Sequence, residues 1–155
     1  MELKPGVKAP KFLLATDGGG DVSNAALWGM PFVLYFYPKD DTSGCTKEAI
    51  GFSQSRKKFE ALGVRVIGVS KDSAASHYRF KAKHKLHLTL ASDPDVKAAE
   101  NFGVWVEKSL YGRKYMCVER ATFLIDGSGV IAKIWRKVKV DGHVQDVLAA
   151  AKALA

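Results

Sequence analysis

Residues 32–37, Phe-Val-Leu-Tyr-Phe-Tyr, restrict the fold of this chain more than any other segment. A strand with one face in water alternates apolar and polar positions. An unbroken apolar run is expected of a strand covered on both faces. Pro38 ends the run, and a polar loop follows, Lys39-Asp40-Asp41-Thr42-Ser43-Gly44. Cys45 then stands where a helix begins. A helix start presents unpaired backbone N–H groups and the positive end of the macrodipole. Both favour a thiolate over a thiol, and the thiolate is the reactive form.

Strand and helix signals alternate along the rest of the chain. Residues 12–14 read as a short strand, closed by Asp17-Gly18-Gly19-Gly20-Asp21. That glycine run lacks a following Lys-Ser/Thr and is no phosphate loop. Residues 46–62 carry Ala49, Phe52, Phe59 and Leu62 on one helical face, and Gly63 stops the helix. Residues 64–69 read as a second buried strand and 73–85 as a helix with Ser73 as its cap. Residues 88–91 form a short strand, and 95–102 a short helix after Pro94. Strands at 122–125 and 130–135 flank Asp126-Gly127-Ser128-Gly129, a strong hairpin signal. An Ala-rich helix, 141–154, closes the chain. Parallel strands with crossover helices plus an antiparallel hairpin imply a central mixed β-sheet flanked by α-helices. The expected class is α/β with a thioredoxin-like fold. At 155 residues it is expected to form a single domain, 1–155. Cys45 then falls beyond the carboxyl end of a sheet strand, where sites of open α/β sheets lie.

Charge and composition exclude several classes. The formal net charge is +8, but the basic residues are spread rather than gathered in a stripe, so no nucleic-acid partner is expected. The densest group, Lys81, Lys83, His84 and Lys85, falls near a helix end, where cations complement the dipole. No apolar run reaches the length of a membrane span, and residues 1–6 do not read as a secretory signal. Two cysteines make no disulfide framework, so reduced thiols in a cytoplasmic protein are expected. His77, His84 and His87 read as solvated histidines of a basic helix and the loop after it. No Cys-x-x-Cys or His-Glu-x-x-His pattern occurs, and no haem, flavin or nucleotide motif, so neither metal nor cofactor is expected.

Pro38, Thr42 and Cys45 form Pro-x-x-x-Thr-x-x-Cys, and Arg120 opens a distant Arg-x-x-Phe. With these the chain resembles the peroxiredoxins of the AhpC/TSA superfamily, in particular the bacterioferritin comigratory protein (PrxQ) group. The similarity runs over nearly the whole chain. It includes Gly6-x-x-Ala9-Pro10-x-Phe12, Tyr35-Phe36-Tyr37-Pro38-Lys39, Gly44-Cys45-Thr46-x-Glu48-Ala49, Gly68-Val69-Ser70-x-Asp72, Ser92-Asp93-Pro94 and Glu119-Arg120-x-Thr122-Phe123-Leu124-Ile125-Asp126. The resemblance implies that Cys45 is the peroxidatic cysteine, reducing hydrogen peroxide and organic hydroperoxides and becoming a sulfenic acid. It implies that Arg120 supplies charge and donors and that the Thr42 hydroxyl serves the peroxide and the thiolate. Pro38 would wall the pocket. Glu48 is expected to orient an arginine rather than touch the peroxide. Four of these have a plainer reading: Cys45 as an inert buried thiol, Thr42 as a loop or capping residue, Arg120 as a surface arginine, and Glu48 as an acidic residue favoured by the helix dipole.

Many members of this group carry a resolving cysteine five positions after the peroxidatic one, where this chain has Ile50. Between Cys45 and Cys117 there is no other cysteine. If 116–120 is extended, alternation turns Cys117 to the face opposite Arg120. The expected chemistry is therefore a one-cysteine cycle in a monomer or weak dimer. Thioredoxin, glutaredoxin or a low-molecular-weight thiol would serve as reductant. The alternatives are a thiol–disulfide oxidoreductase of the same fold, which wants a Cys-x-x-Cys where this chain has Thr42, and a basic binding or chaperone-like protein.

Overall fold

A computed structural model describes residues 3–154. Met1 and Glu2, part of the stretch read for a signal, lie outside the described residues.

The central sheet has seven strands. They are β1 (Leu13–Thr16), β2 (Asp21–Ser23), β3 (Phe32–Phe36), β4 (Arg65–Ser70), β5 (Thr89–Ser92), β8 (Ala121–Ile125) and β9 (Ile131–Trp135), ordered β2-β1-β5-β4-β3-β8-β9. β3 runs parallel to β4, and β4 to β5, while β8 is antiparallel to both β3 and β9. The sheet is mixed, as the order of elements requires, and β3 lies inside it. All five β3 residues are buried. Alternation sends Phe32, Leu34 and Phe36 into one core with Phe12, Phe102 and Phe123. It sends Val33 and Tyr35 into the other, with Cys45, Phe52, Phe59, Val144 and Val147. An apolar run without polar gaps is the sequence of a strand that buries both faces.

The helices divide between these cores. The short α1 (Asn24–Leu27) and α5 (Lys97–Asn101) cover the first, through Leu27, Ala98 and Ala99. The second is covered by α2 (Ser43–Gln54), α3 (Arg56–Ala61), α4 (Ala74–His84) and α6 (His143–Leu154). Ser73 caps α4, its hydroxyl accepting from the Ser76 N–H at 3.1 Å.

Two expectations need correction, and one element was not foreseen. The helix read at 46–62 begins at Ser43 and is two helices, parted at Ser55. A hairpin not foreseen, β6 (Trp105–Leu110) and β7 (Arg113–Val118), forms a separate two-stranded sheet. His77 is fully buried rather than solvated, because its spacing from Phe80 places it on the apolar face of α4. Its Nε2 donates to the Ala91 carbonyl at 2.9 Å, and its Nδ1 lies 2.7 Å from Asp40 Oδ2. The basic end of α4 is as expected, with Lys81, Lys83 and His84 in its last turn. Those side chains meet anions: Lys81 pairs with Asp17, and Lys83 and His84 with Asp41.

Candidate active site

β3 delivers the chain to Pro38, and the loop from Lys39 to Thr42 turns it into α2. This loop is tied down twice. Asp40 is buried and accepts from Tyr37 Oη at 2.5 Å and from Ser76 Oγ at 2.8 Å, besides its contact with His77. Asp41 adopts a left-handed conformation, φ 60°, with its carboxylate held by Lys83 and His84. Thr42 is the N-cap residue of α2, with its carbonyl accepting from Thr46 N–H at 2.8 Å. Cys45 is thus the third residue of the helix, within the turn whose N–H groups lack helical partners.

Cys45 is 2% exposed. Arg120, in the link between β7 and β8, reaches it. The Arg120 Nη2 donates to Cys45 Sγ at 3.3 Å, and Nη1 to Glu48 Oε1 at 2.7 Å. Glu48 follows Cys45 by three residues on α2, so both face the same way. Its side chain is entirely enclosed. Gly44 leaves the guanidinium its space, since a Cβ there would lie 3.1 Å from Arg120 Nη2.

Burial pushes the Glu48 carboxyl up to about 7, against the opposing pull of Arg120. Burial would lower Arg120, but the charges of Glu48 and Cys45 outweigh it and raise it. Tyr35, stacked on Phe52 at 4.6 Å, is raised well above its ordinary value by burial and then by Glu48.

The structure therefore brings Cys45, Glu48 and Arg120 together. Pro38 is half-buried just after β3, and the exposed Thr42 donates its hydroxyl to the Lys39 carbonyl at 2.9 Å rather than toward Cys45. His143 and Thr122 were not foreseen. His143 opens α6, and its Nε2 lies 2.8 Å from Thr122 Oγ1 and 4.0 Å from Glu48 Oε2. The signal was a histidine in register with the apolar stripe of Val147 and Ala151. Among the described residues, no three or more His, Cys, Asp or Glu side chains are grouped so as to hold a metal.

A thiol at a helix start, held by a guanidinium beyond the end of a central strand of a thioredoxin-like fold, defines a cysteine-based redox enzyme. The AhpC/TSA family model matches residues 5–134, and the chain belongs to that family. It is 51% identical over 148 residues to a putative peroxiredoxin bcp of Coxiella burnetii, covering 96% of this chain and 98% of that one. To peroxiredoxin Bcp of Bacillus subtilis it is 47% identical over 148 residues, covering 96% and 94%. A solved structure of Xanthomonas campestris bacterioferritin comigratory protein, described as a trapped intermediate/ligand complex bearing on alkyl peroxide reduction, superposes with TM-score 0.91. Its identity is 39%, covering 97% of this chain and 98% of that one. The protein is accordingly a thiol-dependent peroxidase of the Bcp, or peroxiredoxin Q, group, acting on a peroxide with a thiol as reductant.

Proposed function

We propose that Cys45 is the peroxidatic cysteine, with Arg120, Thr42, Glu48 and Pro38 as its supporting residues, and that the cycle is of one-cysteine type. The observation that carries this reading is the Arg120 guanidinium, bonded at once to Cys45 Sγ and to the enclosed Glu48. The Cys45 thiolate attacks the terminal oxygen of the hydroperoxide. A sulfur–oxygen bond forms, the O–O bond breaks, and the leaving alkoxide or hydroxide takes a proton to become alcohol or water. Cys45 is left as a sulfenic acid. Negative charge grows on the leaving oxygen, which Arg120, already bonded to Cys45 Sγ, and the N–H groups of the first turn of α2 would stabilise by donating to it. Glu48 holds Arg120 in place. Thr42 serves the peroxide by turning its hydroxyl away from the Lys39 carbonyl. Pro38, with no N–H to offer, walls the approach.

An outside thiol then condenses with the sulfenic acid, releasing water and leaving a mixed disulfide. A second thiol frees Cys45 and departs as disulfide. Thioredoxin, glutaredoxin or a low-molecular-weight thiol fits this role, and a reducing cytoplasm suits two free cysteines. Alkyl hydroperoxides are included as substrates beside hydrogen peroxide, in line with the alkyl peroxide reduction activity ascribed to the Xanthomonas campestris protein. Among the described residues no helix is long and apolar enough to cross a membrane.

Hydrogen peroxide consumption with dithiothreitol, in wild type and in Cys45→Ser, tests the reading. Loss of turnover in the variant supports it. Turnover that survives the substitution removes Cys45 from the chemistry.

A further inference from the structure

We propose that His143 is a positioning residue of this peroxidatic site, acting through Glu48 to hold Arg120 against Cys45. The proposal rests on the reading of Cys45, Glu48 and Arg120 given above.

The observation behind it is an orphaned oxygen. Glu48 Oε1 is satisfied by Arg120, but Oε2 is buried without a hydrogen-bond partner. Buried polar atoms are nearly always paired, so each exception asks for a reason. The polar group facing this one is His143 Nε2, 4.0 Å away and 2.8 Å from Thr122 Oγ1. A hydroxyl both donates and accepts. A proton on Nε2 is therefore compatible with Thr122, and a small rotation of the ring shares it with Glu48 Oε2.

The histidine is held where this can happen. Its ring meets Phe52 and Trp135 edge-on, with interplanar angles of 90° and 83°. The next residue, Val144, lies so close to α2 that a Cβ at Gly51 would come within 2.9 Å of its Cγ2. Glycine at position 51 lets α6 approach α2, and that approach brings His143 to Glu48. The continuous path is Thr122, His143, Glu48, Arg120, Cys45, drawn from β8, α6, α2 and the link between β7 and β8.

The other ionisable groups around this path are Tyr35 from β3 and Asp146 from α6 itself. Burial keeps His143 neutral, pushing it down to about 4, with Arg120 adding to the effect and Asp146 opposing it. Glu48 lies at the border of its two forms near neutral pH. As a carboxylate it grips Arg120 by a charge-assisted bond, and as an acid it loses much of that attraction. A neutral donor at Oε2 stabilises the carboxylate without adding a charge.

The test is the second-order rate of Cys45 oxidation by hydrogen peroxide, followed from mildly acid to mildly alkaline pH. In His143→Leu the acid-side inflection should move up by about one pH unit, the worth of one hydrogen bond to a charged group. The rate should drop about five-fold at neutral pH and return toward wild type at alkaline pH. His143→Gln, whose amide reaches the place of Nε2, should restore the inflection. In a Glu48→Gln background, His143→Leu should change the rate no further, because the two residues act as one unit. If the Leu variant does not fold, His143→Asn replaces it, since its amide stops short of Glu48. A rate lowered equally at every pH, or an additive effect in the Glu48→Gln background, overturns the proposal. Should Cys45→Ser still consume peroxide, the reading of the site falls first and His143 falls with it.

Discussion

Arg120 Nη2 stands 3.3 Å from Cys45 Sγ, while Nη1 of the same guanidinium is anchored 2.7 Å from Glu48 Oε1. The planar fork allows both bonds at once, which the point charge of a lysine would not. Arg120→Met keeps much of the apolar stem and deletes the fork. The rate of peroxide reduction should fall about 100-fold or more, the loss typical of one donor aimed at developing charge. Iodoacetamide alkylation of Cys45 at neutral pH, in a Cys117→Ser background, should slow as well. Equal alkylation rates would mean that the cation does not activate the thiol.

Gly44→Ala separates reactivity from stability. The added Cβ would lie 3.1 Å from Arg120 Nη2, so the guanidinium must yield by a few tenths of an ångström. Alanine is a better helix former than glycine by about 1 kcal/mol. We expect a peroxidase rate lowered about ten-fold, the effect of roughly 1.4 kcal/mol on the barrier, with a melting temperature equal to or above wild type. Unchanged turnover would show that the arginine tolerates the methyl group.

Two buried groups give stability opposite dependences on pH. Glu48 is held near 7 when folded, above its ordinary value of 4.5. Between these values the folded state binds more protons than the unfolded one, so this group makes stability fall as pH rises. His143 is held near 4, below its ordinary value of 6.5. Its contribution is present above 6.5 and is lost as pH falls toward 4. Thermal melts should show Glu48→Gln gaining on wild type as pH rises from 4.5 to 7. The advantage of wild type over His143→Gln should shrink as pH falls through the lower window. Parallel melting curves for either pair would contradict the burial of that group.

His77→Leu tests the anchor of the loop before Cys45. The substitution leaves Asp40 buried beside Tyr37 and Ser76, without its ring partner. Removing one hydrogen-bond partner of a buried charged group destabilises by about 1.5–3 kcal/mol. Denaturant unfolding should show a loss of this size. A loss below about 1 kcal/mol would mean that Tyr37 and Ser76 alone satisfy the carboxylate.

Turnover after oxidation is read by intact mass. Cys117 sits on β7 opposite Val106, in the separate two-stranded sheet, whereas Cys45 lies in the first turn of α2 with its side chain in the second core. One equivalent of peroxide should leave a sulfenic acid on Cys45, trapped by dimedone, and excess peroxide should carry it on to sulfinic acid. A loss of two hydrogens with Cys45 and Cys117 recovered in one linked peptide pair would make Cys117 the resolving thiol.

The path from β3 through Pro38 and Thr42 to Cys45 was legible in the sequence because its signals are local. They are an apolar run, a proline stop and a polar loop before a helical periodicity. The β8–β9 hairpin was legible for the same reason, through its Asp-Gly-Ser-Gly turn. The β6–β7 hairpin was not. Its turn places Tyr111 and Gly112 at φ 51° and 77°, the arrangement of a tight hairpin, but tyrosine in the first position disguises it. Its strands are largely exposed and lack an apolar pattern. The resemblance named Glu48 and Arg120, but not the protonation border on which Glu48 sits or the histidine facing it. Those follow from burial, which sums over residues distant in sequence. Glu48 is enclosed only once α6 has closed on α2 at Gly51, and His77 meets Asp40 only once α4 has packed over the loop. Periodicity tells which face of a helix is buried. What that face meets, and therefore which charge it can keep, is decided by tertiary packing.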